Sequence, residues 1–286
     1  MATLSSQSRA RRVGRILTYA AASSGAMFML VPFVWMVTTS LKAPAQVFAY
    51  PIEWIPDPVK WENYRYVTSD WPFLKYMLNS ALVALLTVIG SLISCSLVAY
   101  AFARLKSRLS RPLFIVMLST MMLPGQVTLI PIFILFRNLG WIDSFASLVV
   151  PSFFGTAFYI FMLRQFFLSI PRELEDAARM DGCGTWGVFW HVVLPLSRSA
   201  LAAVAIFAFM AAWNDFYGPL ILLSSEGKRT AALALAIFNS AKGTDSGNRM
   251  HWAMAAATLT IIPTLLIFYR AQKYFVQGIV FKGVEK

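Results

Sequence analysis

The chain has 286 residues, of which 58% are hydrophobic and 13% charged, with a mean hydropathy of +0.63 and a formal net charge of +12. Soluble domains run at roughly 45–50% apolar and about 25% charged, so a water-soluble globular protein, a disordered chain and a disulfide-stapled scaffold are all excluded. At ~20 residues per membrane-spanning helix, this length holds about six spans with modest loops and no sizeable soluble domain.

The first apolar run, Ile16 to Leu41, is uncharged over 26 residues and follows Arg9, Arg11, Arg12 and Arg15. Basic residues ahead of an apolar run also mark a signal peptide, but this run is about twice the length of an h-region. It is predicted to stay as the first span, behind a cytoplasmic basic tail over residues 1–15. Further uncharged runs cover Tyr76 to Ala103, Pro112 to Phe136, Ser144 to Leu163, Ser199 to Asn214 and Met250 to Tyr269. The fifth is ended by Asp215, with apolar residues resuming to Leu223. The expected fold class is therefore an all-α polytopic membrane protein, six helices within residues 16–270, followed by a tail over 271–286. Leu123-Pro124-Gly125 and Pro131 interrupt the third span, a break that suits either a cavity lining or a packing kink. Gly182 to Ser197 is also uncharged, but Trp186, Phe189, Trp190 and Val193 fall at i, i+3, i+4 and i+7. That spacing predicts a helix along the interface. The apolar stretch 230–241 is too short to cross and is expected to be re-entrant or interfacial.

Six spans place both termini on one face. Lysine and arginine number sixteen on that face against five acids, a net of +11, while the opposite loops carry nine against eight, a net of +1. By the positive-inside rule the +11 face is cytoplasmic. The basic balance therefore needs no nucleic-acid partner.

Catalytic signatures are missing. No Gly-x-x-x-x-Gly-Lys-[Ser/Thr], His-Glu-x-x-His or Gly-x-Ser-x-Gly occurs, so the chain is not expected to be an enzyme, to hold a metal or to bind a nucleotide's phosphates. Cys95 and Cys183 read as free thiols, and two histidines, His191 and His251, cannot build a metal cluster.

The loop between spans four and five is the informative segment. In Ser169-Ile-Pro-Arg-Glu-Leu-Glu-Asp-Ala-Ala-Arg-Met-Asp-Gly182, Ser169 is expected to cap a helix whose first turn holds Pro171 and Glu173. Ala177 and Ala178 favour helix, and Gly182 is expected to end it in a left-handed cap. Four acids and two arginines predict a solvent-facing helix. The alanines would let another surface come close. From the residues alone, a docking helix and an ordinary amphipathic connector both remain open.

These residues carry a family resemblance. Asp176-Ala177-Ala178, Gly182, Val192, Leu194 and Pro195 match the spacing of the EAA signature of ATP-binding-cassette importer permeases, with Asp for Glu and Val for Ile. Ser40-Leu41-Lys42, Val47-Phe48, Glu62-Asn63-Tyr64, Asn79-Ser80, Ala99 to Leu105, Leu139-Gly140, Trp213-Asn214-Asp215-Phe216 and Tyr274 to Val280 extend it over nearly the whole chain. Together they resemble the carbohydrate-uptake branch, specifically its maltose-type second permease. The resemblance implies the type I importer fold and a 169–198 coupling loop. It implies as partners a homologous second permease, two copies of an ATPase subunit and an extracytoplasmic solute-binding protein, in a bacterial inner membrane. This chain would bind no cofactor, ATP and Mg being used by the ATPase. The implied coupling residues are Glu173, Asp176, Ala177, Ala178, Asp181, Gly182, Leu194 and Pro195. A permease for glycerol phosphate or polyamine, or a self-contained secondary transporter, are the alternative readings.

Trp213, Asn214, Asp215, Phe216 and Tyr217 are the candidate solute-pathway residues. An ionised group deep in the bilayer costs about 2.5–3.5 kcal/mol, so Asp215 is expected to face water, a partner or a pathway. Aromatic rings beside amide and carboxylate groups suit sugars. They also suit membrane-interface anchors, and both readings stay open.

Overall fold

The computed structural model describes residues 2–105, 107–240 and 249–280, with side chains described at 14–105, 107–240 and 249–272. Residues 1, 106, 241–248 and 281–286 lie outside these. The principal helices are α1 (Ala2–Ser40), α2 (Phe73–Arg104), α3 (Ser110–Ser119), α4 (Gly125–Asn138), α5 (Ala157–Ser169), α6 (Arg172–Met180), α7 (Arg198–Trp213), α8 (Ala231–Ser240) and α9 (Met250–Val280). No strand occurs among the described residues. Helix is what an apolar solvent demands, because each backbone donor must find its acceptor within the segment.

Four stretches are long and apolar enough to cross a membrane: Gly14–Ser40, Phe73–Arg104, Ala146–Ser169 and Met250–Gln272. Two bent pairs complete six when each counts as one span. Ser110–Met122 and Gly125–Asn138 meet at 102°, and Thr185–Leu196 and Arg198–Trp213 meet at 77°. The first bend follows from Pro124, whose ring drives Leu123 out of the helical region to φ −82°, ψ 120°. At the second, Ser197 leaves helical geometry at φ −95°, ψ 15°. The fourth span also has a break, at Gly155, whose φ is +89°.

The chain forms two compact units, Met1–Trp71 with Phe238–Leu259, and Pro72–Ile237 with Thr260–Lys286. In the first, Asn63 Nδ2 donates to the carbonyls of Ser40 and Lys42 at 2.8 and 2.9 Å. The buried Lys42 ammonium lies 4.0 Å from the centre of the Trp35 ring, which satisfies the charge partly through the aromatic face.

The second unit is built around α2. Its second half buries mostly small residues, Gly90, Ser91, Ser94, Cys95, Ser96, Ala99 and Ala103, with Tyr100 the one large side chain among them. Small residues are what let helices pack closely when lipid supplies no hydrophobic drive. Tyr159, Ile160, Leu163 and Phe167 of α5, with Ala200, Val204 and Ala208 of α7, form one core with α2 residues. The Ser94 hydroxyl lies 2.8 Å from the carbonyls of both Gly90 and Ser152. Cys95 is a buried free thiol that accepts from the Thr156 amide at 3.3 Å.

Asp143, at φ 56°, ties the loop after α4 to residues 224–228. It accepts from the amides of Ser224 and Ser225 at 3.1 and 2.9 Å and pairs with Lys228 Nζ at 3.0 Å. The Ser225 hydroxyl, the amides and the ammonium together hold its carboxyl far below the usual carboxylate range. The tie is therefore complete at neutral pH and is lost only as pH falls through that lowered value.

At Gly90 an added Cβ would lie 2.6 and 2.7 Å from the Phe153 ring and against the Ser152 hydroxyl. Gly90→Ala should cost about 1–3 kcal/mol through overpacking, read as a lower unfolding temperature of the purified protein. Gly25→Ala, in open space on α1, should not lower that temperature, because alanine favours helix over glycine there.

Candidate functional site

The polar segment between spans four and five folds as α6, and its start differs from expectation. Ser169 is the last residue of α5, and its hydroxyl donates back to the Phe166 carbonyl at 2.7 Å. It therefore does not cap α6. Pro171 occupies that position instead, with φ −56° and ψ 136°, so a preset backbone angle starts the helix without a side-chain cap.

The far end is as expected. Gly182 has φ +87°, the Cys183 amide donates to Ala178 at 2.9 Å and the Gly182 amide donates to Arg179 at 3.0 Å. This six-to-one and five-to-two pair is a Schellman motif. An added Cβ at Gly182 would meet nothing within 4 Å, so glycine is required there by backbone angle and not by contact.

Expected to be wholly solvent-facing, α6 has one acid turned inward. Glu175 is 3% exposed, and its Oε1 sits 2.5 Å from Arg104 Nε, both side chains being 4% exposed. The two atoms meet off the N–H axis, so the contact is an ion pair and not an aligned hydrogen bond. Arg104 Nη2 also donates to the Ile170 carbonyl at 2.7 Å. One turn earlier on α2, Tyr100 donates to the Thr185 carbonyl at 3.3 Å, and its ring lies 5.0 Å from that of Phe189. Tyr100 and Arg104 share a helix face at i and i+4. The last turn of α2 thus ties the segment before α6, α6 itself and the helix after it.

With Glu175 inward and Ala178 against the core, the opposite face of α6 is free. Glu173, Asp176, Ala177, Met180 and Asp181 are exposed, the first four at i, i+3, i+4 and i+7. Met180 is 89% exposed, an apolar knob among acids. Asp176 lies 3.9 Å from Arg179 in a surface ion pair. Leu194 packs against the core, whereas Pro195 is exposed. Of the eight coupling residues expected from sequence, Glu173, Asp176, Ala177 and Asp181 therefore share one outward surface, Ala178 packs on the core, Gly182 ends the helix, and Leu194 and Pro195 belong to the turn leading into α7.

The second candidate cluster divides as well. Trp213 is 2% exposed, stacks on Phe209 at 5.4 Å and donates to the Thr260 carbonyl at 3.2 Å. Its ring is consumed in packing α7 on α9. Asn214 and Tyr217 are exposed and Phe216 is half-buried. Asp215 Oδ1 accepts from the Gly218 amide at 3.1 Å, capping the short helix Tyr217–Leu222. Here sequence reasoning missed that the acid serves the backbone at the α7 break. It also missed that Glu175 pairs with Arg104 beside Tyr100; Ala99 to Leu105 stood out only as a segment of the family resemblance and as the end of an otherwise uncharged span.

Arg104→Met and Glu175→Leu each strand one buried charge and should destabilise the purified chain by ~3–5 kcal/mol. The double variant should recover most of that loss. Thermal unfolding of the four proteins checks it, and strictly additive losses would mean that the two side chains act separately.

Comparison with known proteins agrees with this geometry. Over residues 87–281 the chain matches the family described as binding-protein-dependent transport system inner membrane component. It is 33% identical over 263 residues to the sn-glycerol-3-phosphate transport system permease protein UgpE of Yersinia pestis, covering 90% of this chain and 92% of that protein. It is 31% identical over 270 residues to the lactose transport system permease protein LacG of Rhizobium radiobacter, covering 94% and 96%. The fold is shared with a bacterial ABC transporter involved in the import of the acidic polysaccharide alginate. The TM-score is 0.82 at 26% identity, over 93% of this chain and 98% of that one. With the type I importer permease fold and matches along most of its length, the chain belongs to the inner membrane component family of binding-protein-dependent transport systems.

Proposed function

We propose that this chain is one permease subunit of an ATP-driven importer for a sugar or oligosaccharide, forming half of the translocation pathway. The observation that carries the reading is α6: a capped helix that offers acids, an alanine and an exposed methionine outward while a buried ion pair ties it to α2. Such an element moves as a rigid body with its span. A separate ATPase, present in two copies and using ATP and Mg, docks on the Glu173–Asp181 face, with Met180 as the apolar centre of contact and Asp176 facing a basic partner. This chain contributes no catalytic group. A homologous permease supplies the other half of the pathway, and an extracytoplasmic solute-binding protein delivers the solute. Both termini lie in the cytoplasm, the side indicated by the +11 against +1 charge division.

The lactose and alginate systems among its relatives support a carbohydrate, and the pathway residues fit one. Asn214, Asp215 and Tyr217 offer an amide, a carboxyl and a phenol beside the half-buried Phe216 ring, donors and acceptors for hydroxyls with an apolar edge. The glycerol-phosphate permease at 33% identity supports a second reading, a phosphorylated polyol.

Two experiments test these assignments. Gly182→Pro cannot adopt φ +87° and should abolish uptake while membrane insertion is kept, and Asp176→Lys should lower uptake by reversing the charge offered to the ATPase. Wild-type uptake in either assembled variant would remove α6 as the coupling element. For the pathway, Asn214→Cys in a Cys183→Ser background should react with a membrane-impermeant thiol reagent, and the transported sugar should slow that reaction. Cys95 is wholly buried and should stay silent. Labelling indifferent to sugar, with normal uptake in Asp215→Ala, would leave the cluster as an interface anchor.

A further inference from the structure

An open groove of about 870 Å³ runs along α3 within the larger unit. Arg108, Arg111 and Arg164 line it together with Phe114, Ile115 and Leu118. The arrangement is graded. Arg108 lies two residues before α3 and Arg111 in its first turn, while Phe114, Ile115 and Leu118 follow Arg111 at i+3, i+4 and i+7. One stripe of the helix therefore changes from cationic to apolar within roughly 10 Å, at 1.5 Å per residue. Arg164, from α5, is brought to the same groove: its Nε donates to the Phe102 carbonyl at 3.3 Å and its guanidinium lies 4.2 Å from the Phe114 ring centre.

The three guanidiniums make no ion pair with a carboxylate among the described residues, unlike Arg104 two turns away, which is neutralised by Glu175. Arg108 and Arg111 are exposed, so water and salt screen part of the repulsion among the three cations, and an anion bound in the cleft would neutralise what remains. The adjoining wall is apolar, and Ile115 remains 55% exposed. A soluble anion would satisfy the arginines and leave that wall uncovered. A molecule with an anionic head and a hydrocarbon tail satisfies both.

We infer that this groove is a binding site for an anionic phospholipid, with the headgroup phosphate held by Arg108, Arg111 and Arg164 and an acyl chain laid along Phe114, Ile115 and Leu118. The inference rests on the cytoplasmic placement of the 104–111 loop proposed above. There the groove opens at the headgroup level of the leaflet that basic clefts between spans exploit. Bidentate geometry makes arginine the apt residue for a phosphodiester. The site also explains a charge excess beyond topology: these arginines are clustered on one groove, which orientation alone does not require.

The test uses the full chain assembled with its partner subunits, stripped of lipid in detergent and then given equal amounts of phosphatidylglycerol and phosphatidylethanolamine. Native mass spectrometry should show phosphatidylglycerol retained over phosphatidylethanolamine. The Arg108→Gln/Arg111→Gln/Arg164→Gln variant should lose that retention by roughly tenfold or more, and the corresponding triple lysine variant should keep part of it. A phosphatidylglycerol with a photoactivatable acyl chain should label residues 111–118 of the wild type, which reports the site even if the glutamine variant assembles poorly. Glycerol phosphate should not compete. Equal retention of the two lipids, labelling outside the groove, full competition by glycerol phosphate, or cross-linking of the groove to a partner subunit in place of lipid would each overturn the inference. None of these readouts depends on the transported solute or on ATP, and a reporter fused after Ser110 tests the cytoplasmic placement separately.

Discussion

The Arg104–Glu175 ion pair joins the most polar helix of the protein to the helix on which its larger unit is packed. Helix α6 has little apolar surface with which to hold itself against the spans, so its place must come from a specific contact. A buried ion pair adds little net stability, because desolvation offsets the Coulombic gain. It does penalise every arrangement in which either charge is left alone. Here the pair sits at the last turn of α2, beside the Arg104 bond to Ile170 and the Tyr100 bond to Thr185. The loop is thereby fixed at three points to one helix face.

The close packing of α2 makes that attachment useful. Its glycine, serine, cysteine and alanine face brings α5 and α7 into contact over much of its length, and interiors of this density respond to a push by moving together. In the coupling role proposed above, a push on α6 would be carried into α2. On the opposite side the outward face of α6 is solvent-exposed, Met180 and Asp176 included, with Asp176 paired to Arg179 on the same surface.

Much of this was legible in particular residues. Pro124 announced the break in the third span, because the residue before a proline avoids helical angles. Gly182 announced the end of α6, because only glycine takes φ +87° without strain. Other signals misled. Ser169 has the chemistry of a cap but ends the previous helix, since Pro171 sets the entry angle. Trp213 sits in an aromatic, polar run that suggests a sugar surface, yet its ring packs on α9. The four acids of the loop are alike in a list of residues, and nothing local distinguishes Glu175 from Glu173 or Asp176.

The sequence by itself determined the helical class, the number of apolar runs, the charge asymmetry and the turn at Gly182. These follow from hydropathy, from counts and from backbone angles, which act within a few residues of chain. Only the tertiary structure decided which acid of α6 is buried, which arginine of the 104–111 loop is neutralised, and which arginines are left facing a groove. Those outcomes depend on where the end of α2 comes to lie against segments some seventy residues further along. An ion pair forms or fails on a distance of a few ångströms that no local pattern encodes.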